Sequence, residues 1–358
     1  MDGFAQPAAT RSGICLAFAA AGLIFLLNAS PAAAAGEVSV RGNEFLRDGK
    51  PWIAKGVGIV GRTAPAEFTK GKGYLQARNQ FGAEELESVR QFGANVIRFQ
   101  VSQGGSDPQS SIYSADYLKE VLAAVKMARD AGFSVIVCVD SQRPSGLDET
   151  GMPNAKAERA WRSLAPLFAK DRGIMLELFN EPAPKGPDAA PQNDWPTWRA
   201  GMQPIVDAVR QAGARNVILA DGLDWARMLN DAPALSDPLS QFAYAVHPYY
   251  ASNFRVEADW DNIFGRFAAT HPVMATEWNV NFRKVCNPDV PQFARGMVEY
   301  LKSKRIGLVE WAYDFPRTIF VADYRGPLTT LQDVQCGNDS NSGVGELVAG
   351  YFKDASRL

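Results

Sequence analysis

Residues 83–140 read AEELESVRQFGANVIRFQVSQGGSDPQSSIYSADYLKEVLAAVKMARDAGFSVIVCVD. Two segments of this stretch, 83–92 and 116–131, carry apolar residues at three- and four-residue spacing, the period of an amphipathic helix. Each stops near a glycine, Gly93 and Gly132, as helices often do. Each is followed by a short run of β-branched and apolar residues, 95–101 (NVIRFQV) and 134–140 (SVIVCVD). Near-continuous apolar strands separated by helices belong to a parallel sheet whose faces are covered.

The same rhythm extends outward in both directions. Further runs lie at 52–59, 174–179 (IMLELF), 216–220 (NVILA), 242–247 (FAYAVH), 272–276 (PVMAT) and 306–312 (IGLVEWA), making eight. Segments 155–170, 196–212, 257–269 and 291–304 fill the gaps with helical pattern. Eight such units in one chain predict an α/β fold, a closed (β/α)8 TIM barrel. An open doubly wound sheet is the alternative. Against it, no strand is followed by a glycine-rich phosphate turn, and Gly56-Val57-Gly58 is only a lone Gly-x-Gly. Ahead of the first run, alternation around Arg41-Gly42-Asn43 and a turn at Asp48-Gly49-Lys50-Pro51 predict a short β-hairpin.

The N-terminal 35 residues read as a signal peptide. Arg11 supplies the positive start, 13–27 form a short apolar core, and Ala33-Ala34-Ala35 offers a cleavage site. The expected domains are therefore 1–35, the signal, and 36–358, the catalytic barrel. The expected location is the periplasm or the medium, with no membrane association after cleavage. The net charge of −2 and the even spread of charge argue against a nucleic-acid partner. Of four cysteines, Cys15 leaves with the signal and Cys138 falls in a strand. Cys286 and Cys336 lie in polar segments and could pair in an oxidising compartment. No His or Cys pair has metal-ligand spacing, so no metal and no cofactor are expected.

In a TIM barrel the chemistry gathers where the strands end at their carboxyl side. The second run holds Arg98 and the third ends at Asp140. The fourth ends in Asn180-Glu181-Pro182, the sixth in His247-Pro248-Tyr249, the seventh in Glu277-Trp278, and the eighth carries Trp311. Two carboxylates on the fourth and seventh strands suit glycosidic chemistry. One protonates the leaving oxygen, and the other attacks the anomeric carbon or activates water. Each residue also has a plainer reading. Glu181 could cap a helix, Arg98 could neutralise a structural acid, and Trp278 could pack behind Glu277 instead of stacking on a sugar. Glu177 could point into the barrel or pair with Arg98. Trp195, Trp198 and Trp225 could form outer subsites or pack on the surface.

Taken together, these strand ends resemble glycoside hydrolase family 5, the cellulase and mannanase family, over roughly the whole mature chain. The resemblance implies a retaining mechanism with Glu181 as acid/base and Glu277 as nucleophile, their carboxyls about 5–5.5 Å apart. It implies a raised pKa for Glu181 and an ionised Glu277. By the family's pattern Arg98 orients the nucleophile, Asn180 binds the 2-hydroxyl, Tyr249 touches Glu277, His247 lines the cleft and Trp311 forms the sugar platform. The chain departs from the pattern at the third strand, where Val139-Asp140-Ser141-Gln142 has no histidine; Asp140 or Gln142 is expected to contact the sugar instead. The expected activity is a monomeric endo-β-1,4-glucanase acting on polysaccharide. A mannanase, a β-1,3- or mixed-linkage glucanase, a transglycosylase on exopolysaccharide and a non-catalytic glycan-binding barrel stay open.

Overall fold

The computed structural model describes residues 1, 3, 36–69, 81–141, 150–184, 194–251, 254–280, 289–315, 318, 319, 331 and 344–354. The expected signal peptide, the Cys286–Cys336 pair and Gln142 lie outside the described residues. The chain divides into residues 1–33 and 34–358, and every described element belongs to the second unit.

That unit opens with three short antiparallel strands, β1 (Val38–Arg41), β2 (Glu44–Arg47) and β3 (Lys50–Pro51). The predicted hairpin thus carries a third strand. Asp48 and Gly49 turn between β2 and β3 with φ of 51° and 74°. Two successive left-handed residues match the twist of a tight hairpin, and Asp-Gly tolerates that conformation best.

Eight parallel strands follow: β4 (Lys55–Ile59), β5 (Val96–Ser102), β6 (Ser134–Asp140), β7 (Ile174–Glu177), β8 (Ile218–Asp221), β9 (Phe242–Val246), β10 (Val273–Trp278) and β11 (Gly307–Glu310). Each pairs with the next, and β11 returns to β4 through Leu308↔Lys55 and Val309↔Gly56, which closes the barrel. All eight predicted runs coincide with these strands. Helices at Ala83–Phe92, Ala115–Asp130, Ala155–Phe168, Trp195–Gln211 and Val290–Ser303 cover the outside, and 257–268 is helical with a π turn at Asp261–Gly265. A further helix, Gly345–Asp354, was not predicted. Its Phe352 ring meets Phe92 edge-on at 5.6 Å, and its Phe352 carbonyl accepts from Lys55 Nζ at 2.6 Å.

Side chains alternate along each strand, so every strand serves two cores. The outward residues, such as Ile97, Phe99, Val135, Val137, Leu176 and Ile218, pack against the helices. The inward residues at the amino ends, Val96, Ile136, Met175, Leu219, Met274 and Val309, form a second cluster with Val38, Val40 and Phe45 of the small sheet. The hairpin therefore plugs the floor of the barrel. Gly56 belongs to this floor, because a Cβ there would come within 2.7 Å of Val309 Cγ2.

Two indoles fix helices to the working end. Trp161 Nε1 donates to the Leu178 carbonyl and Trp198 Nε1 to the Asp221 carbonyl, each at 2.7 Å. Both tryptophans are fully buried. Trp198 is thus a structural anchor rather than an outer subsite.

Candidate active site

One step above the apolar floor the barrel interior turns polar. Arg98, Cys138, Glu177, Asp221 and Thr276 occupy inward positions two residues beyond the floor residues of the same strands, and all five are buried. Glu181 and His247 stand one step higher still, just past the ends of β7 and β9.

Glu277 reaches the interior through an irregularity in β10. Ala275 pairs with Leu308, yet the next pair is Trp278 with Glu310, three residues against two. This bulge breaks the alternation. Thr276 and Glu277 consequently both face inward, while Trp278 turns outward into the core beneath the helices. Trp278 is fully buried there, which leaves no face for a sugar; it packs behind Glu277 on β10.

Arg98 is the centre of the site. Its Nε and Nη2 donate to the two oxygens of Glu177 at 2.7 and 3.0 Å, a bidentate pair. Nη1 donates to Glu277 Oε2 at 2.7 Å, and Nη2 also reaches Asn180 Oδ1 at 2.7 Å and Cys138 Sγ at 3.1 Å. Arg98 thus bridges Glu177 and Glu277. Tyr249 donates to the other oxygen of Glu277 at 2.9 Å, and Gln100 Nε2 approaches Oε2 at 3.4 Å. Burial, and then the charge of Glu181, push the Glu277 carboxyl up, while His247, Arg98 and Tyr249 pull it back. Donors reach both of its oxygens, yet the balance still lies above the ordinary carboxylate range.

Glu181 has a φ of 55°, a left-handed conformation that costs a non-glycine residue about 1–2 kcal/mol. No helix begins at this residue, so the helix-cap reading does not apply. Its N–H donates to Asp221 Oδ2 at 2.8 Å, and its Oε1 meets His247 Nδ1 at 3.0 Å. His247 Nε2 lies 3.1 Å from Thr276 Oγ1, which donates onward to Glu177 Oε1 at 2.8 Å. Carboxylate oxygens of Glu181 and Glu277 and a ring nitrogen of His247 all lie within 4.8 Å of one another.

Burial disfavours a charged His247, but Glu277 and Asp221 and the bonds to Glu177 and Glu181 outweigh it and raise the ring to about 10. Glu177 is likewise opposed by burial, yet Arg98 and His247 hold it far below the ordinary carboxylate range. Asp221 goes the other way: burial and the neighbouring charge of Glu177 push it well up. Within the buried cluster, Glu177 and His247 are thus shifted toward their charged forms, and Asp221 and Glu277 toward their neutral forms.

Trp311 is nearly buried in a small apolar wall with Val60, Tyr249, Ala312 and Phe315, joined to Ala312 by a cis peptide. Its Nε1 faces Gln100 Oε1 at 3.4 Å, so Gln100 links Trp311 and Glu277. Asp140, the last residue of β6, is buried on the same side as Cys138, opposite Ser102 of β5. The barrel thus brings Arg98, Asn180, Glu181, His247, Tyr249, Glu277 and Trp311 into one constellation. Reading the sequence missed Gln100, Thr276 and Asp221. Polar residues at alternate positions of an apolar strand, as in Arg98-Phe99-Gln100, were the available signal. His271 stacks on Phe267 at the opposite end, with ring centres 4.0 Å apart.

A closed barrel with two carboxylates within 4.8 Å of each other at the carboxyl ends of its strands has the architecture of the barrel glycosidases. The family model for Cellulase (glycosyl hydrolase family 5) matches residues 71–315, and the chain belongs to that family. It is 23% identical over 297 residues to Endoglucanase C of Evansella cellulosilytica, an alignment covering 74% of this chain and 34% of that protein. It is 26% identical over 239 residues to the cellulase CelDZ1 of a Thermoanaerobacterium species, covering 61% of this chain and 57% of that one. The chain therefore spans between about a third and somewhat over half of these relatives. Among solved structures, a β-glucanase of Saccharophagus degradans in complex with cellotetraose superposes with a TM-score of 0.65 at 21% identity, covering 90% of this chain and 94% of that one. At that identity the likeness speaks for the fold alone.

Proposed function

We propose that the chain is an exported, monomeric endo-β-1,4-glucanase that cleaves with retention of configuration. The observation that carries this reading is the approach of the Glu181 and Glu277 carboxylate oxygens to within 4.8 Å. That spacing leaves no room for a water between them, as an inverting enzyme requires, and suits direct attack by one carboxylate.

In the first step Glu277 attacks the anomeric carbon and forms a glycosyl ester. Glu181 gives its proton to the departing glycosidic oxygen, so the leaving sugar departs as a neutral alcohol. In the second step Glu181 takes a proton from water, the water oxygen bonds to the anomeric carbon, and Glu277 leaves as a carboxylate. Arg98 and Tyr249 hold Glu277 against rotation and disperse its charge. Asn180 binds the 2-hydroxyl, His247 supports the acid, Trp311 carries the sugar ring, and Asp140 contacts it where relatives place a histidine. The names of the relatives, endoglucanase and cellulase, and the cellotetraose of the structural neighbour support a β-1,4-glucan substrate. Residues 1–35 support export.

The test is reducing-sugar release by the purified protein from carboxymethyl cellulose, mixed-linkage glucan, β-1,3-glucan, mannan, xylan and xyloglucan. Glu181→Gln and Glu277→Gln serve as controls. The expected result is release from the β-1,4-glucans, abolished in both variants. A folded protein silent on every polymer would refute the reading.

A further inference from the structure

The left-handed backbone at Glu181 has to be held by its surroundings, and β8 supplies the hold. Asp221, the last residue of β8, is fully buried and accepts the Glu181 N–H at 2.8 Å. One residue on, the Pro182 carbonyl accepts the Trp225 N–H at 3.1 Å. The loop after β8 thus grips both sides of the acid-bearing peptide. Asp221 is itself fixed. Its carbonyl takes the Trp198 indole, and the following Gly222 N–H bonds the Ala245 carbonyl at 3.2 Å. Gly222 has no space for a side chain, since a Cβ would lie 2.0 Å from the Met228 carbonyl.

We propose that Asp221 is a positioning residue that holds Glu181 in its left-handed conformation, so that proton delivery to the leaving group depends on the Asp221 side chain. The proposal rests on Glu181 being the acid/base. What Glu181 requires from Asp221 is an acceptor, not a charge. Around Asp221 stand Glu177, Arg98 and His247, the last with Nε2 at 3.7 Å from Oδ2. Its Oδ1 finds no partner among the described residues. Burial and Glu177 favour its neutral form. Asparagine, with the same shape and an amide oxygen in the same place, should therefore replace it, and alanine should not.

The experiment separates proton delivery from general damage. Aryl β-cellobiosides with a dinitrophenolate leaving group need no proton at departure, whereas cello-oligosaccharides do. For Asp221→Ala, kcat/KM on cellopentaose should fall on the order of 100-fold, as for a misplaced catalytic group, while that on the dinitrophenyl substrate stays within about threefold. Asp221→Asn should keep both within about threefold of the parent. Equal losses on the two substrates in Asp221→Ala, or no loss on either, would overturn the proposal. If the alanine variant does not fold, Asp221→Asn still decides, because a selective loss on cellopentaose there contradicts a neutral acceptor. Glu181→Gln runs alongside. If it loses both substrates alike, the acid assignment fails, and this inference falls with it.

Discussion

Replacing Glu310 with glutamine should make the protein more stable at neutral pH. Glu310 ends β11, fully buried on the outer side of the barrel wall. Among the described residues its only donor is Asn279 Nδ2 at 2.9 Å to Oε1, and the same amide nitrogen also holds the Trp311 carbonyl at 2.7 Å. Oε2 meets no partner among the described residues, and burial pushes the carboxyl well above its ordinary range. The folded chain therefore holds the proton to higher pH than the unfolded chain, which loses it near about pH 4.3. An acid with a raised folded pKa contributes fully below the unfolded value, and its contribution drains away as pH rises toward the folded value. In the window between the unfolded and the folded value the slope is about 1.4 kcal/mol per pH unit, lost as pH rises. Glu310→Gln keeps the acceptor for Asn279 and cannot ionise. Equilibrium urea unfolding of both proteins at several pH values isolates the effect, since every other titrating group cancels in the difference. The variant should gain on the parent at that rate across the window. Parallel stability curves would refute the argument, for they would mean that Glu310 is ionised in the fold or exposed to water.

Tyr249→Phe removes one donor from Glu277; a hydrogen bond to a charged group is worth about 1.5–3 kcal/mol, so kcat should drop roughly 10- to 100-fold in steady-state assays. Trp278→Phe should cost about 1–3 kcal/mol in denaturant unfolding and leave KM unchanged, because the ring sits in the core. His247, raised to about 10 from an ordinary 6.5, contributes a stabilisation complete below pH 6.5 and lost as pH climbs toward 10. His247→Gln should therefore flatten the alkaline limb of the stability profile, measured by thermal unfolding between pH 6 and 10.

The barrel was legible because parallel strands buried on both faces leave long apolar runs, and helices between them keep their own period. The strand ends were legible because Asn180-Glu181-Pro182 and His247-Pro248-Tyr249 interrupt those runs with polar residues. Helix Gly345–Asp354 escaped because a long polar stretch precedes it and Gly350 interrupts its pattern. Asp221 escaped because one acid at the end of ILAD carries no mark of its neighbours; only the lateral packing of β8 on β7 gives it a partner. Trp278 could not be resolved either way, since its facing depends on a bulge, and a bulge is a property of two strands read together.

That bulge has a consequence for how the chain tolerates change. In a regular strand, deleting one residue exchanges the two faces beyond the cut. In β10 the ladder already runs one residue long, and the carboxylate sits on the surplus. Removing Thr276 would repair the ladder, yet it would set Glu277 down into the place Thr276 holds beside Glu177 and His247, and removing Glu277 would take the carboxylate away altogether. A tidier sheet would thus be the less viable protein, and length variation at this one place is closed to drift while the loops nearby stay free to vary.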